Sequence, residues 1–112
     1  MQASLVYVIK FVADMEKAIT FYRDTLGLTL RFQSPHWSEF ETGATTLALH
    51  PANAQNPAGT SQLGFRTPGL AEAYAAREAT GLVFTQAPTP QRGVEIARIR
   101  DSEGAEISLS GA

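Results

Sequence analysis

A histidine, a tryptophan and an arginine are the side chains of this sequence that point most directly to a binding site. His50 ends an alternating apolar and polar segment, and its imidazole could bind a metal ion, transfer a proton or donate to a ligand. Trp37, the only tryptophan, could stack on a planar ligand, fill the base of a small barrel or sit in a dimer contact. Arg66 carries a fixed positive charge suited to a carboxylate or phosphate. The structural alternative for His50 and Arg66 is a partly exposed position at a strand end.

Several kinds of chemistry are excluded by composition and by missing motifs. The 112 residues include no cysteine, which excludes disulfides, thiolate zinc sites and cysteine nucleophiles. There is no G-x-S-x-G elbow, no Walker-type phosphate loop and no dinucleotide fingerprint. Glu95 and Glu106 could be proposed as an acid and base pair, but each is more simply interpreted as a solvated strand residue. His36 is interpreted as a loop residue.

The charge balance argues against a nucleic-acid partner. Nine Lys plus Arg against eleven Asp plus Glu give a net charge of −2, and the basic residues are scattered. No apolar run reaches the length of about 18 residues that crosses a membrane, and the N-terminus has no signal-peptide pattern. We therefore expect a cytoplasmic protein that binds neither nucleic acid nor membranes.

Residues 14–28 carry a complete helix signal. Asp14 is a good N-cap, and its charge suits the positive end of the helix dipole. Gly27 follows the last periodic position and can adopt the left-handed conformation that ends a helix. Helical spacing predicts one buried stripe, which consists of Met15, Ala18, Ile19, Tyr22 and Leu26.

Strands are predicted on both sides of this helix, at residues 5–11, 28–33, 37–41 and 45–50. Alternation places Tyr7 on one face of the first strand with Ile9 and Phe11. It also places Ala48 and His50 on one face of the fourth strand, opposite Leu47 and Leu49. The first half of the chain therefore reads β-α-β-β-β.

The second half repeats this order after a proline-rich loop at residues 51–59. It contains a predicted strand at 62–67, a helix at 69–80, a short strand at 82–84 and a hairpin formed by 94–100 and 105–109. Residues 88–93 are predicted to be a mobile loop. Spacings of 55 from Tyr7 to Gln62 and from Asp14 to Gly69 indicate a duplication. We predict one α+β domain of two βαβββ modules, at about residues 4–50 and 61–110.

The sequence resembles the vicinal oxygen chelate superfamily, which includes glyoxalases, bleomycin resistance proteins and extradiol dioxygenases. The resemblance is carried by FYRDTLGL after a strand, by a glycine turn into TTLALH and by the closing segment RDSEGAEISL. It implies an incomplete curved barrel with the helices outside and one ligand cavity inside. In proteins of this size it also implies a homodimer, since a second subunit often completes the cavity.

The resemblance also implies where metal ligands would lie. Metal-dependent members place His, Gln or Glu on the inner faces of the first and fourth strands of each module. Here those positions are Tyr7, Ala48, Gln62 and Ser108, and only Gln62 is a usual ligand. His50, two residues beyond Ala48, could be a displaced ligand.

We therefore predict a binding protein without a cofactor that holds a small organic molecule, as bleomycin-resistance-type members do. The alternative is a lyase, isomerase or dioxygenase that uses zinc, iron, manganese or nickel, bound by His50, Gln62 and a glutamate such as Glu39 or Glu106. A third possibility is a protein without a small ligand whose modules form an interface. The ligand and the presence of catalysis stay open. The residues predicted near the ligand are Tyr7, Trp37, His50, Gln62, Arg66 and Ser108.

Overall fold

The computed structural model describes residues 1–91 and 93–111, which fall into two compact units. The first unit consists of residues 6–62, and the second of residues 1–5 together with the chain from residue 63 onward. The first module begins with a strand, continues with a helix and ends with three strands: β1 (Ser4–Val12), α1 (Met15–Thr20, followed by a π-helical turn Phe21–Thr25), β2 (Thr29–Phe32), β3 (Ser38–Glu41) and β4 (Thr46–Pro51).

The strands of the first module are arranged in the order β2-β3-β4-β1. The first and last strands are parallel, with Ile9 opposite Ala48 and Phe11 opposite His50, whereas β3 is antiparallel to both of its neighbours. Parallel neighbours need a crossover connection, which here contains the helix and the two remaining strands.

The helix begins where the sequence predicts, because the Asp14 carboxylate accepts a hydrogen bond from the Lys17 backbone N–H at 3.0 Å. The end of the helix differs from the regular turn that the sequence predicts. The Leu26 N–H donates to the Phe21 carbonyl five residues back, which widens the last turn. Leu26 is 56% exposed, so its predicted place in the buried stripe is wrong, and Leu28 packs against the core instead. Gly27 follows with a φ of 74°, as expected.

The helix side of the first module is its main apolar core. Ile19, Phe40 and Leu49 are each at most 2% exposed and form one cluster with the partly buried residues around them. Since side chains alternate along a strand, the neighbouring residues of β1 and β4 lie on the other face of the sheet. The strand residues on that other face are therefore candidates for a binding site.

The second module repeats the first. Its strand order is β5-β8-β7-β6, again with the first and last strands parallel and the other neighbours antiparallel. The predicted βαβββ duplication is confirmed. Its elements are β5 (Ser61–Arg66), α2 (Leu70–Ala75), α3 (Arg77–Thr80), β6 (Phe84–Gln91), β7 (Val94–Arg100) and β8 (Glu106–Gly111).

Three predictions for the second module need correction. The short strand expected at 82–84 begins only at Phe84. The helix expected over 69–80 is interrupted at Ala76, although Gly81 ends it with a φ of 77° as predicted. The loop predicted at 88–93 is wrong for 88–91, which continue β6 to Gln91. Pro88 and Pro90 are tolerated because β6 is an edge strand. Arg92 lies outside the described residues.

The helix side of the second module holds a cluster formed by Leu70, Ala97, Ile99 and Leu109, each at most 5% exposed. As in the first module, the core lies between the helix and one face of the strands. No helix within residues 1–91 and 93–111 combines the length and the apolar character required to cross a membrane.

Candidate functional site

The face of the first module that lies opposite α1 is lined by aromatic side chains, and we call it the aromatic face. Its base is Ile9, Phe11 and Ala48, which are between 0 and 6% exposed. Tyr7, Trp37 and His50 are half-buried around this base. As alternation predicts, Tyr7, Ala48 and His50 thus lie on one face of the sheet.

The rings of the aromatic face contact each other edge to face. The centroids of Tyr7 and Trp37 are 5.6 Å apart at an interplanar angle of 76°, and those of Phe11 and His50 are 5.3 Å apart at 62°. Trp37 and His50 are 6.3 Å apart at 82°. Such arrangements are favourable for aromatic quadrupoles, and they fix the orientation of each ring.

Trp37 is held in place by a chain of polar contacts. Its indole N–H donates to the Glu39 carboxylate at 2.7 Å, and the other oxygen of Glu39 accepts from Arg31 at 3.0 Å. Arg31 also donates to Glu41 at 2.8 Å and to Thr46 at 2.6 Å. The hydrogen bond with Glu39 is the main reason why the pKa of Arg31 is raised. Because its N–H is already bonded, Trp37 has only its ring to offer a ligand.

His50 is oriented by the backbone next to it. Its Nδ1 lies 2.8 Å from the Pro51 carbonyl oxygen. A carbonyl oxygen only accepts, so we assign the proton to Nδ1, and in the neutral ring Nε2 is then the basic nitrogen. His50 therefore presents one nitrogen that could accept a proton or a hydrogen bond, or bind a metal ion.

The six predicted site residues fall into two groups. Tyr7, Trp37 and His50 are brought together on the aromatic face. Gln62, which is 6% exposed and belongs to the first unit, lies on β5, where it alternates with Gly64 and Arg66. Arg66 and Ser108 lie in the second unit on neighbouring strands, where Gly64 is opposite Ser108 and Arg66 is opposite Ser110.

The second module has its own face opposite the helices, and we call it the arginine face. Phe65, Ala97, Ile99 and Leu109 belong to the helix-side cluster, so the residues that alternate with them point the other way. Arg98 and Arg100 share one face of β7 by alternation, and the packing of Ala97 and Ile99 on the helix side turns that face away from the helices. Within the second unit, the face consists of Gly64, Arg66, Gln86, Ile96, Arg98, Arg100, Glu106, Ser108 and Ser110.

A shallow groove of about 500 Å³ opens elsewhere in the first unit, at the start of α1. None of the six predicted residues borders it. It is lined by Asp14, Met15, Glu16, Gln33, Ser34 and Pro35.

One protein-family model matches almost the whole chain. Residues 4–109 match the family model described as the Glyoxalase/Bleomycin resistance protein/Dioxygenase superfamily. The chain belongs to this superfamily. The resemblance seen in the helix and the closing hairpin is thereby confirmed. No match was found among curated proteins.

Solved structures of the same fold agree with this superfamily assignment. A hypothetical protein from Bacillus halodurans aligns with a TM-score of 0.82 at 14% identity, over 100% of this chain and 96% of that one. A glyoxalase/bleomycin resistance protein/dioxygenase superfamily member from Vibrio splendidus gives 0.75 at 11%, over 99 and 100%. A methylmalonyl-CoA epimerase in complex with methylmalonyl-CoA gives 0.78 at 16%, over 100 and 96%. At these identities the likeness establishes the predicted α+β fold class alone.

The donor set for a metal ion is poor. Among residues 1–91 and 93–111, no three His, Cys, Asp or Glu side chains come together as a metal site requires. Ala48 is fully buried and offers no donor atom. Both oxygens of Glu39 are engaged by Trp37 and Arg31, and Glu106 accepts a hydrogen bond from Thr85 at 2.7 Å. Of the positions that the superfamily resemblance would assign to a metal, Ala48 therefore contributes no ligand, and the glutamates of the alternative set already have other partners.

Proposed function

We propose that the protein binds a small organic molecule on the aromatic face of the first module and that it does so without a metal ion. The observation that carries this proposal is the ring cluster: Tyr7, Trp37 and His50 are half-buried above the apolar base of that face. A planar apolar group gains burial and ring contacts at such a surface. The function is then sequestration, akin to that of bleomycin-resistance-type proteins.

The polar contacts of the face support this use. Trp37 presents its ring to a ligand while Glu39 and Arg31 hold the indole, so little side-chain freedom is lost when a ligand binds. His50 adds one hydrogen-bonding nitrogen, which would orient a ligand that carries a polar group. We propose Gln62, in the same unit, as a further polar contact. The proposal includes a homodimer, which light scattering would register as twice the 12.1 kDa of one chain.

Intrinsic fluorescence tests the proposal directly, because Trp37 is the only tryptophan. The probe is N-phenyl-1-naphthylamine, a neutral and largely apolar aromatic amine whose own emission increases in apolar surroundings. We expect saturable quenching of Trp37 with a matching rise in probe emission. Replacing Trp37 by Leu should weaken probe binding by about tenfold, which corresponds to about 1.4 kcal/mol.

The matched control is Phe21→Leu, since Phe21 is an aromatic residue 48% exposed on the π-helical turn and outside the aromatic face. It should leave probe binding unchanged. Equal weakening by both substitutions, or no weakening by Trp37→Leu, would show that the probe binds elsewhere and would overturn the proposal.

One observation favours a second candidate function. The hydrogen bond from Nδ1 of His50 to Pro51 leaves Nε2 as a nitrogen that could bind zinc, iron, manganese or nickel together with Gln62, in a metal-dependent enzyme. Elemental analysis of protein purified without chelators separates the two. The metalloenzyme would hold a stoichiometric ion and lose it together with turnover in His50→Ala. The binding protein would lose only part of its affinity.

A further inference from the structure

We infer that the arginine face of the second module is an anion-binding site, which takes the carboxylate or phosphate group of a small molecule with Arg98 as its main contact. This inference goes beyond the proposed function and does not depend on it, because it concerns different residues in the other unit. The juxtaposition that carries it is Arg98 beside Ser108, Gly64 and Arg66 on neighbouring strands.

The register of the strands brings these groups into one row. Gly64 on β5 is opposite Ser108 on β8, and Ser108 is opposite Arg98 on β7. The edge strand β6 extends the row, with Gln86 opposite Arg98. Neighbouring strands lie about 4.8 Å apart, so the long side chain of Arg98 reaches across the row easily. Arg66 lies two residues further along β5, opposite Ser110.

Positive charge is concentrated on this face although the chain as a whole is acidic. Three of the nine basic residues lie here, namely Arg66, Arg98 and Arg100, against one acidic residue, Glu106. Their balance of 3 − 1 = +2 contrasts with the net −2 of the chain. An oxyanion is therefore attracted to this face rather than to the surface in general.

Two of these arginines form no ion pair within the described part of the chain. Arg98 is half-buried, yet neither its side chain nor that of Arg66 makes a hydrogen bond or ion pair with residues 1–91 or 93–111. By contrast, Arg31 bonds two carboxylates and Arg23 is paired with Asp24. A guanidinium that is partly withdrawn from water gains most from an anion that it can bind through two N–H groups.

The residue across from Arg98 on β8 can bond such an anion. Ser108 is half-buried and has a small side chain, and it lies directly opposite Arg98. The Ser108 hydroxyl has no partner in the described part of the chain and is able to donate, whereas Ser110 already bonds the Phe65 carbonyl at 3.3 Å. The site thus offers one guanidinium and one hydroxyl side by side, with Arg66 as a second charge.

The test is an NMR titration of the ¹⁵N-labelled full chain with inorganic phosphate in one arm and succinate in the other, at ionic strength held constant with sodium chloride. We expect saturable shifts of the Arg98 side-chain N–H and of the Gly64 and Ser108 amides. Tighter binding of phosphate would identify a phosphate ligand, and tighter binding of succinate a carboxylate ligand. Arg98→Gln should weaken the preferred anion by about tenfold. Arg98→Lys, which keeps the charge but loses the paired N–H groups, should weaken it less.

The control Arg23→Gln removes the same charge from the helix of the first unit and should change the affinity by less than about twofold. If Arg23→Gln weakens binding as much as Arg98→Gln, the anions respond to overall charge and the inference is wrong. It is also wrong if no shift saturates on the arginine face. If Arg98→Gln does not fold, the shift map of the unaltered protein and the affinity of Arg98→Lys decide. The probe of the aromatic face carries no charge, so failure here leaves the proposed function untouched.

Discussion

The two modules share one framework and differ in the faces that the framework presents. Each has its first and last strands parallel and a helix that ends at a glycine, over a buried apolar cluster on the helix side. On the opposite face, the first module has Tyr7, Trp37 and His50, whereas the second has Arg66 and Arg98. The helix side carries what the fold requires, and the other side was free to acquire different chemistry in each copy.

The comparison predicts that the helix-side cores are the most sensitive part of both modules. Phe40→Ala in the first core should lower the free energy of unfolding by about 3–5 kcal/mol, and Leu109→Ala in the second by about 2–5 kcal/mol. Both side chains are at most 1% exposed. Urea unfolding measures this. Phe21→Ala is the control, and at 48% exposure it should cost less than about 1 kcal/mol. Equal costs for Phe21 and Phe40 would contradict the assigned core.

The next largest effect concerns the contact that distinguishes the aromatic face. Glu39→Ala removes the acceptor of the Trp37 indole N–H and should destabilise the protein by about 1–2 kcal/mol. It should also shift the tryptophan emission to longer wavelength as the ring loosens. Glu39→Gln keeps an acceptor oxygen and should preserve the emission. If the emission of Glu39→Ala were unchanged, the hydrogen bond from Trp37 to Glu39 would have no role in orienting the indole ring.

The glycines that end the helices should behave alike in the two modules. Gly27 has a φ of 74° and Gly81 a φ of 77°, and nothing lies within 4 Å of a Cβ added to either. Alanine at each should therefore cost about 1 kcal/mol through backbone strain alone. Gly27→Asn is the control, since asparagine adopts the left-handed conformation more readily than alanine, and it should cost less than half as much. Thermal unfolding with unequal results for Gly27 and Gly81 would weaken the parallel between the modules.

The smallest effect lies in the start of the helices, where the modules differ. Asp14 caps α1 with its side chain, whereas α2 begins at Gly69 without a side-chain bond. Gly69→Ser should supply the missing cap and raise stability by a few tenths of a kcal/mol. A loss of stability in calorimetry would show that Gly69 is needed for a reason other than capping.

Local patterns were enough to predict the order of elements and which residues share a face of β1 and β4. The alternation along β1 and β4 placed Tyr7, Ala48 and His50 on one face correctly, and Asp14 and Gly27 marked their helix correctly. Leu26 was misplaced because helical spacing assumes regular turns, and a π-helical turn follows from no simple residue pattern. Pro88 and Pro90 were assigned to a loop, since the sequence does not reveal that β6 is an edge strand.

The candidate site was less accessible to sequence reasoning because its contacts join residues far apart in the chain. The bonds from Arg31 to Glu39 and Thr46 depend on how β2, β3 and β4 pair, and a bulge in β2 changes that register. Arg98 could be placed on the arginine face only once Ala97 and Ile99 were known to pack on the helix side. Their apolar character next to Arg98 was the signal available in the sequence.

The most direct test of the central claim is calorimetric titration of N-phenyl-1-naphthylamine into the protein before and after exhaustive treatment with EDTA. The account predicts one saturable binding event with the same dissociation constant in both samples, since the aromatic face needs no ion. Binding that disappears after chelation and returns when zinc, iron, manganese or nickel is added back would contradict it.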